Sequence, residues 1–67
     1  MLPINRNIRR LREEREIGRD DFGAKFGISG DAVAKWETGW ACPPMSKLPD
    51  VAAELGVSVD ELLAEAA

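Results

Sequence analysis

Glycines at the ends of short stretches with helical spacing constrain the fold of this sequence more than any other feature. They are Gly18, Gly27, Gly39 and Gly56. Glycine enters the left-handed conformation without a steric penalty, so it commonly stands just past the last residue of a helix. Gly18 ends the first stretch or caps the second, and the other three end the stretches before them. The chain is therefore expected to be all-α, with short helices joined by short connections.

Apolar periodicity and capping residues predict the first three helices. The first is expected over residues 5–16, where apolar side chains recur at spacings of four and three. The second is expected over residues 19–26, with carboxylates in its first turn, where they interact favourably with the helix dipole. Ser29 is a natural N-cap, so the third helix is expected to run from there through Glu37 or Thr38.

Two more helices follow a proline-containing stretch, residues 40–44, that is expected to be a stiff loop. The fourth helix is predicted over residues 47–55 with Ser46 as its N-cap. Pro49 then falls in the first turn, where its missing N–H has no carbonyl partner to lose. Ser58 and Glu61 form a capping box that opens a short last helix. The expected common core comprises Phe22, Phe26, Val33, Trp36, Leu48 and Leu55.

The length and composition limit the possible functions. A chain of 67 residues is expected to form one domain, residues 1–67, with a modest core. Cys42 is the only cysteine and histidine is absent, so neither a disulfide nor a structural zinc site is expected, and no cofactor either. No nucleophile–base pair can be assembled, which argues against an enzyme. The lone cysteine and the lack of an apolar leader favour the cytoplasm.

Charge is distributed unevenly along the chain. The net charge is −3, which by itself argues mildly against a nucleic-acid partner. Residues 1–36 nevertheless carry eight basic and six acidic side chains, whereas residues 37–67 carry one basic and six acidic ones. The basic potential therefore lies in the first half, and charge alone leaves the partner open.

Residues 19–38 have the spacing of a helix-turn-helix. Two helices that meet at a steep angle need a small residue where the second approaches the first and a glycine in the turn. Gly23 and Gly27 meet these two requirements. Apolar residues fill the corner between the helices: Phe22, Phe26, Ile28, Val33 and Trp36. Such a pair holds its second helix out from the body of the domain, where it can enter a DNA major groove.

Four stretches carry a resemblance to a known family: Ile8–Glu14, Phe26–Ser29, Ala34–Gly39 and Leu48–Leu62. Together they resemble the Cro/repressor-type helix-turn-helix family, also called the xenobiotic-response-element family. The resemblance implies a compact five-helix bundle of the phage-repressor type. It also implies a cytoplasmic transcription regulator, usually a homodimer on a near-palindromic operator. A sequence-specific repressor or autoregulator that places residues 29–38 in the major groove of double-stranded DNA is the leading hypothesis.

The resemblance also assigns roles to individual residues. The family ties an arginine late in the first helix to a glutamate near the end of the recognition helix, here Arg12 and Glu37. The positions expected to face the groove are Gly30, Asp31, Ala32 and Lys35. Ser29 and Arg19 are expected near phosphates.

Several of these features have a second interpretation. Gly30 and Ala32 offer almost no hydrogen bonds to bases, and Asp31 can act as a helix-dipole acid instead of a base contact. Trp40 either packs over the core or is exposed for a partner. The arginines of the first helix either assist DNA binding or pair with glutamates four residues on, including Arg12 with Glu16. The alternative function is a protein-interaction module that keeps the fold with little DNA affinity.

Overall fold

The computed structural model describes residues 2–65, which fold into five α-helices with no strand among them. The helices are α1 (Pro3–Glu14), α2 (Arg19–Ala24), α3 (Gly30–Thr38), α4 (Leu48–Leu55) and α5 (Val59–Leu63), with a 3₁₀ turn at Met45–Lys47. The predicted all-α, five-helix fold is confirmed. Within the described residues, no helix has the length and apolar character needed to cross a membrane.

Helix α1 lies two residues earlier in the chain than predicted. It begins at Pro3, where proline is tolerated, and the side-chain Oδ1 of Asn5 accepts a hydrogen bond from the Leu2 N–H at 2.9 Å. It ends at Glu14 because Glu16 takes a left-handed conformation, with φ of 56°. The apolar periodicity predicted that the helix would continue almost to Gly18, but the left-handed residue that ends it is Glu16, which is not a glycine.

Helices α2 and α4 also differ from the prediction at one end. Helix α2 ends at Ala24 instead of Phe26, although Gly27 takes the expected left-handed φ of 70°. Ser46 does not cap α4: it lies in the 3₁₀ turn, and Lys47 occupies the N-cap position without a side-chain capping bond. The 3₁₀ turn leads directly into the helix, so Pro49 becomes the second helical residue.

The caps of α3 and α5 are as predicted. The Ser29 hydroxyl accepts a hydrogen bond from the Ala32 N–H at 3.2 Å, and Gly39 ends α3 with φ of 89°. The Ser58 hydroxyl accepts from the Glu61 N–H at 3.0 Å, and the Glu61 carboxylate accepts from the Ser58 N–H at 3.1 Å. These side-chain caps fix where both helices begin.

All five helices contribute side chains to one core. Four of the six predicted core residues are buried, whereas Phe26 and Leu48 are half-buried at its edge. Phe26 lies in the connection between α2 and α3, and Leu48 is the first residue of α4, so both stand at the end of a packed element. The buried apolar residues are Ile4, Ile8, Phe22, Val33, Trp36, Val51, Ala52, Leu55 and Leu62.

The α2–α3 corner depends on Gly23, as predicted. A Cβ atom at this position would lie 2.6 Å from the Ile28 carbonyl oxygen and 3.0 Å from that of Ser29. The absence of a side chain therefore lets the turn pass directly over α2. This close approach sets where α3 begins relative to the rest of the domain.

Candidate nucleic-acid interface

Helix α3 presents one face to solvent and buries the other. Val33, Trp36 and Glu37 are buried, while Asp31 and Lys35 are exposed and Ala32 is half-buried. Ser29, at the N-cap, is also exposed. The side chains expected to face a groove therefore share the exposed side of the helix.

Gly30 does not belong to this exposed surface. It is buried, and a Cβ atom there would overlap the carboxylate of Asp20 in the first turn of α2. Its small size therefore serves the packing of two helix N-termini against each other. The expectation that Gly30 faces DNA conflicts with this burial, and the physical reason is the proximity of α2.

Arg12 and Glu37 meet beneath the exposed face of α3. The Arg12 Nε lies 2.7 Å from Glu37 Oε2, and its Nη2 lies 3.2 Å from Oε1, so the pair is bidentate. The Arg12 side chain is 9% exposed and that of Glu37 is 1% exposed. The hydrogen bonding of Arg12 to the Glu37 carboxylate raises the pKa of Arg12 above its ordinary value, although burial opposes the shift. A charged pair thus joins α1 to the end of α3.

Arg19 shares the same carboxylate. Its Nε lies 3.2 Å from Glu37 Oε1, and its side chain is 44% exposed. An arginine carries five N–H donors, so this bond leaves the guanidinium able to donate outward as well. Glu37 therefore links α1, α2 and α3, and it orients the arginine expected to lie near phosphate.

The N-terminal end of α3 is acidic. The Asp20 carboxylate lies next to Gly30, and Asp31 is exposed one residue further along. Both acids suit helix first turns, but both also repel phosphate. Lys35 is the only basic residue within α3. The exposed face therefore attracts a polyanion only weakly.

Other basic residues are engaged within the fold. Lys47 Nζ donates to the Phe26 carbonyl at 2.9 Å, which stabilises the turn between α2 and α3. Arg15 Nε donates to the Leu55 carbonyl at 2.6 Å. Arg9 and Arg10 pair with Glu13 and Glu14 along α1, as the self-neutralising interpretation predicts.

The predicted pairing of Arg12 with Glu16 is wrong. The helical turn ends before Glu16, whose left-handed backbone removes it from the face that carries Arg12. Arg12 instead turns inward to Glu37. The four-residue spacing was a valid signal only for the pairs that lie wholly within α1.

Two buried asparagines were missed by the sequence analysis. Asn5 Nδ2 donates to the carbonyls of Trp36 at 2.6 Å and Ala41 at 3.3 Å, and it lies 3.7 Å from Cys42 Sγ. Asn7 Nδ2 donates to the carbonyls of Leu62, in the last turn of α5, and of Ala64, directly after that helix. Asparagine is unfavourable inside a helix. Two asparagines beside the apolar stripe of α1 could therefore have indicated that their side chains form buried hydrogen bonds.

Comparison with known proteins agrees with this geometry. A family model described as helix-turn-helix matches residues 8–62, which is most of the chain. The HTH-type transcriptional activator BcrR of Enterococcus faecalis is 27% identical over 62 residues. That alignment covers 92% of this chain but 30% of the relative, so the chain spans less than a third of that protein's length.

Proposed function

Because the chain belongs to the Cro/repressor-type helix-turn-helix family of DNA-binding transcription regulators, we propose that it binds duplex DNA with α3 in the major groove. Asp31, Ala32 and Lys35 face the bases, and Ser29 and Arg19 lie near phosphates. We also propose that it acts in the cytoplasm, as the resemblance to this family implies.

One observation carries this proposal: α3 is exposed along one side while its other side is fixed by the core and by Glu37. A rigid helix loses little conformational entropy on entering the groove, so few contacts suffice to position it. Lys35 can donate to a guanine edge, and the methyl group of Ala32 can contact a thymine methyl. The Asp31 carboxylate can accept from a cytosine amine.

Charge variants on α3 test this function. Lys35→Ala is expected to weaken binding and to make the slope of log K against log salt shallower by at most about 0.9, because one positive charge is lost from the groove between the phosphates. Asp31→Asn is expected to strengthen non-specific binding, because it removes repulsion without changing size. Fluorescence anisotropy with a labelled duplex at several salt concentrations measures both effects.

The wild-type slope is itself informative. With few basic groups on the exposed face, we expect the slope of log K against log salt to be about −2 to −4 per subunit.

Glu54→Gln, a change of the same charge on α4, provides the matched control for Asp31→Asn and is expected to change binding less. Equal responses of the two acid variants would mean that net charge, and not the α3 surface, governs the interaction.

A homodimer on a near-palindromic operator is the assembly we propose. Leu63 is 46% exposed on α5, and Val57 and Val59, which precede it in the chain, are only partly buried. A two-fold axis beside α5 would cover these side chains in both copies at once. Light scattering of the protein, free and with duplex, is expected to give the mass of two chains in the complex. A single chain in both states would contradict this assembly.

A further inference from the structure

Gly30 leaves a space at the start of α3, and a side chain of α2 fills it. A Cβ atom at Gly30 would overlap the Asp20 carboxylate and would lie 3.3 Å from the Asp20 backbone nitrogen. Asp20 is exposed, whereas Gly30 is buried. The Asp20 carboxylate therefore stands where the side chain of the first residue of α3 would otherwise begin.

This space borders the exposed side of α3. Asp31 directly follows Gly30 and is exposed, and Ala34, one turn beyond Gly30, is half-buried. Residues four apart share a face of a helix, so Gly30 and Ala34 form the edge of α3 that lies next to α2. Because the Asp20 carboxylate contacts the first turn of α3, it reaches a DNA groove together with that turn.

The Asp20 carboxylate is available as a hydrogen-bond acceptor. Among residues 2–65, the acidic partners in ion pairs are Glu13, Glu14 and Glu37, so Asp20 has no such partner there. The nearest atoms to a Cβ at Gly30 all belong to Asp20, and none belongs to the adjacent Asp21. Of these two neighbouring acids, Asp20 is therefore the one that meets α3.

We propose that Asp20 is a specificity-determining residue that accepts a hydrogen bond from a cytosine amine in the major groove, an inference that rests on the proposed function. A carboxylate has no donor, so it cannot hydrogen-bond to phosphate or to the acceptor atoms of guanine and thymine. Cytosine presents its N4 amine in the groove, whereas the N6 amine of adenine lies beside the acceptor N7. The carboxylate therefore suits cytosine best.

The contact acts mainly by rejecting other bases. A carboxylate that leaves water and meets no donor loses hydration that no new hydrogen bond replaces. This penalty falls on every sequence that lacks the amine, so Asp20 adds specificity without adding attraction to phosphate. The acidic end of α3 fits this role, because weak non-specific binding leaves a larger difference between sequences.

Asp20→Asn and Asp21→Asn form a matched pair for the test. Each removes one negative charge from the first turn of α2 and nearly keeps the size of the side chain. A duplex selected by the wild-type protein is varied to each base at every position, and fluorescence anisotropy measures the affinities. At one position, Asp20→Asn is expected to lower the preference for cytosine about tenfold and to favour adenine, the base that asparagine pairs with. Asp21→Asn is expected to keep every base preference within about twofold.

Gly30→Ala tests the geometry without changing the charge. Its Cβ displaces the Asp20 carboxylate, which is the end of a flexible side chain, and alanine favours a helix more than glycine does. The variant is expected to lose the cytosine preference at the same position as Asp20→Asn. Acrylamide quenching checks its fold: Trp36 is 6% exposed, whereas Trp40 is 85% exposed instead of packed over the core. A folded variant therefore keeps one protected tryptophan.

Three results would overturn the inference. If Asp20→Asn keeps all wild-type preferences while Lys35→Ala still weakens enrichment, α3 recognises DNA and Asp20 contacts no base. If Asp20→Asn and Asp21→Asn change the same position equally, charge at the start of α2 sets the preference and the contact with Gly30 does not. If the wild-type protein binds no duplex at low salt, the proposed function fails and the inference fails with it.

Discussion

Replacing Glu37 with alanine is expected to lower the free energy of unfolding by about 3–5 kcal/mol. The substitution leaves the Arg12 guanidinium buried without its bidentate partner, and it also releases Arg19. A stranded buried charge costs far more than the loss of an exposed pair. Far-UV circular dichroism measures the change, either as a lower urea midpoint or, where the loss exceeds the stability of the domain, as loss of the helical signal without urea.

The control is Glu13→Ala, which removes a glutamate from an exposed pair. The side chains of Arg9 and Glu13 are 59% and 57% exposed, so this change is expected to cost less than about 1 kcal/mol. Replacing both Arg12 and Glu37 with methionine is expected to be milder than removing either alone. Strict additivity in that double-mutant cycle would show that the two charges do not stabilise each other.

Leu55→Ala is expected to destabilise the domain by about 2–5 kcal/mol, the usual cost of truncating a fully buried leucine. Leu55 is 0% exposed, and it packs in the core shared by α1, α4 and α5. A single core in a chain of this size supplies only about 3–5 kcal/mol of stability. The variant is therefore expected to be largely unfolded at room temperature by circular dichroism.

Leu48→Ala provides the comparison for that result. The sequence placed Leu48 in the core, but the structure leaves it half-buried at the start of α4. Its truncation removes less buried area and leaves a gap that water can enter, so the loss is expected to be clearly smaller than at Leu55. Equal losses at the two positions would contradict the structural assignment of the core edge.

The sequence predicted the elements whose ends are set by side-chain chemistry within a few residues. Ser29 and Ser58 each provide a local N-cap, and Gly39 and Gly56 provide left-handed stops, so both ends of α3, the end of α4 and the start of α5 were placed correctly. The predicted end of a helix was wrong where that end depends on backbone conformation alone. The left-handed Glu16 ends α1 early, and neither a capping side chain nor a glycine in the sequence indicates it.

The site was predictable in part for a similar reason. The exposed positions of α3 follow from helical periodicity, and the family resemblance linked Arg12 to Glu37. The burial of Gly30 depends on how closely α2 approaches, which periodicity does not report. The hydrogen bonds of Asn5 join residues more than thirty positions apart, so they become visible only once the chain has folded.

Selection from a random duplex library at low salt tests the central claim most directly. We expect the wild-type protein to enrich a common sequence over successive rounds, because its exposed α3 face offers direct base contacts. The enrichment is expected to weaken in Lys35→Ala, whose fold should be unaffected because Lys35 is exposed. Failure of the folded wild-type protein to enrich any duplex would contradict DNA recognition and favour a protein-interaction module built on the same fold.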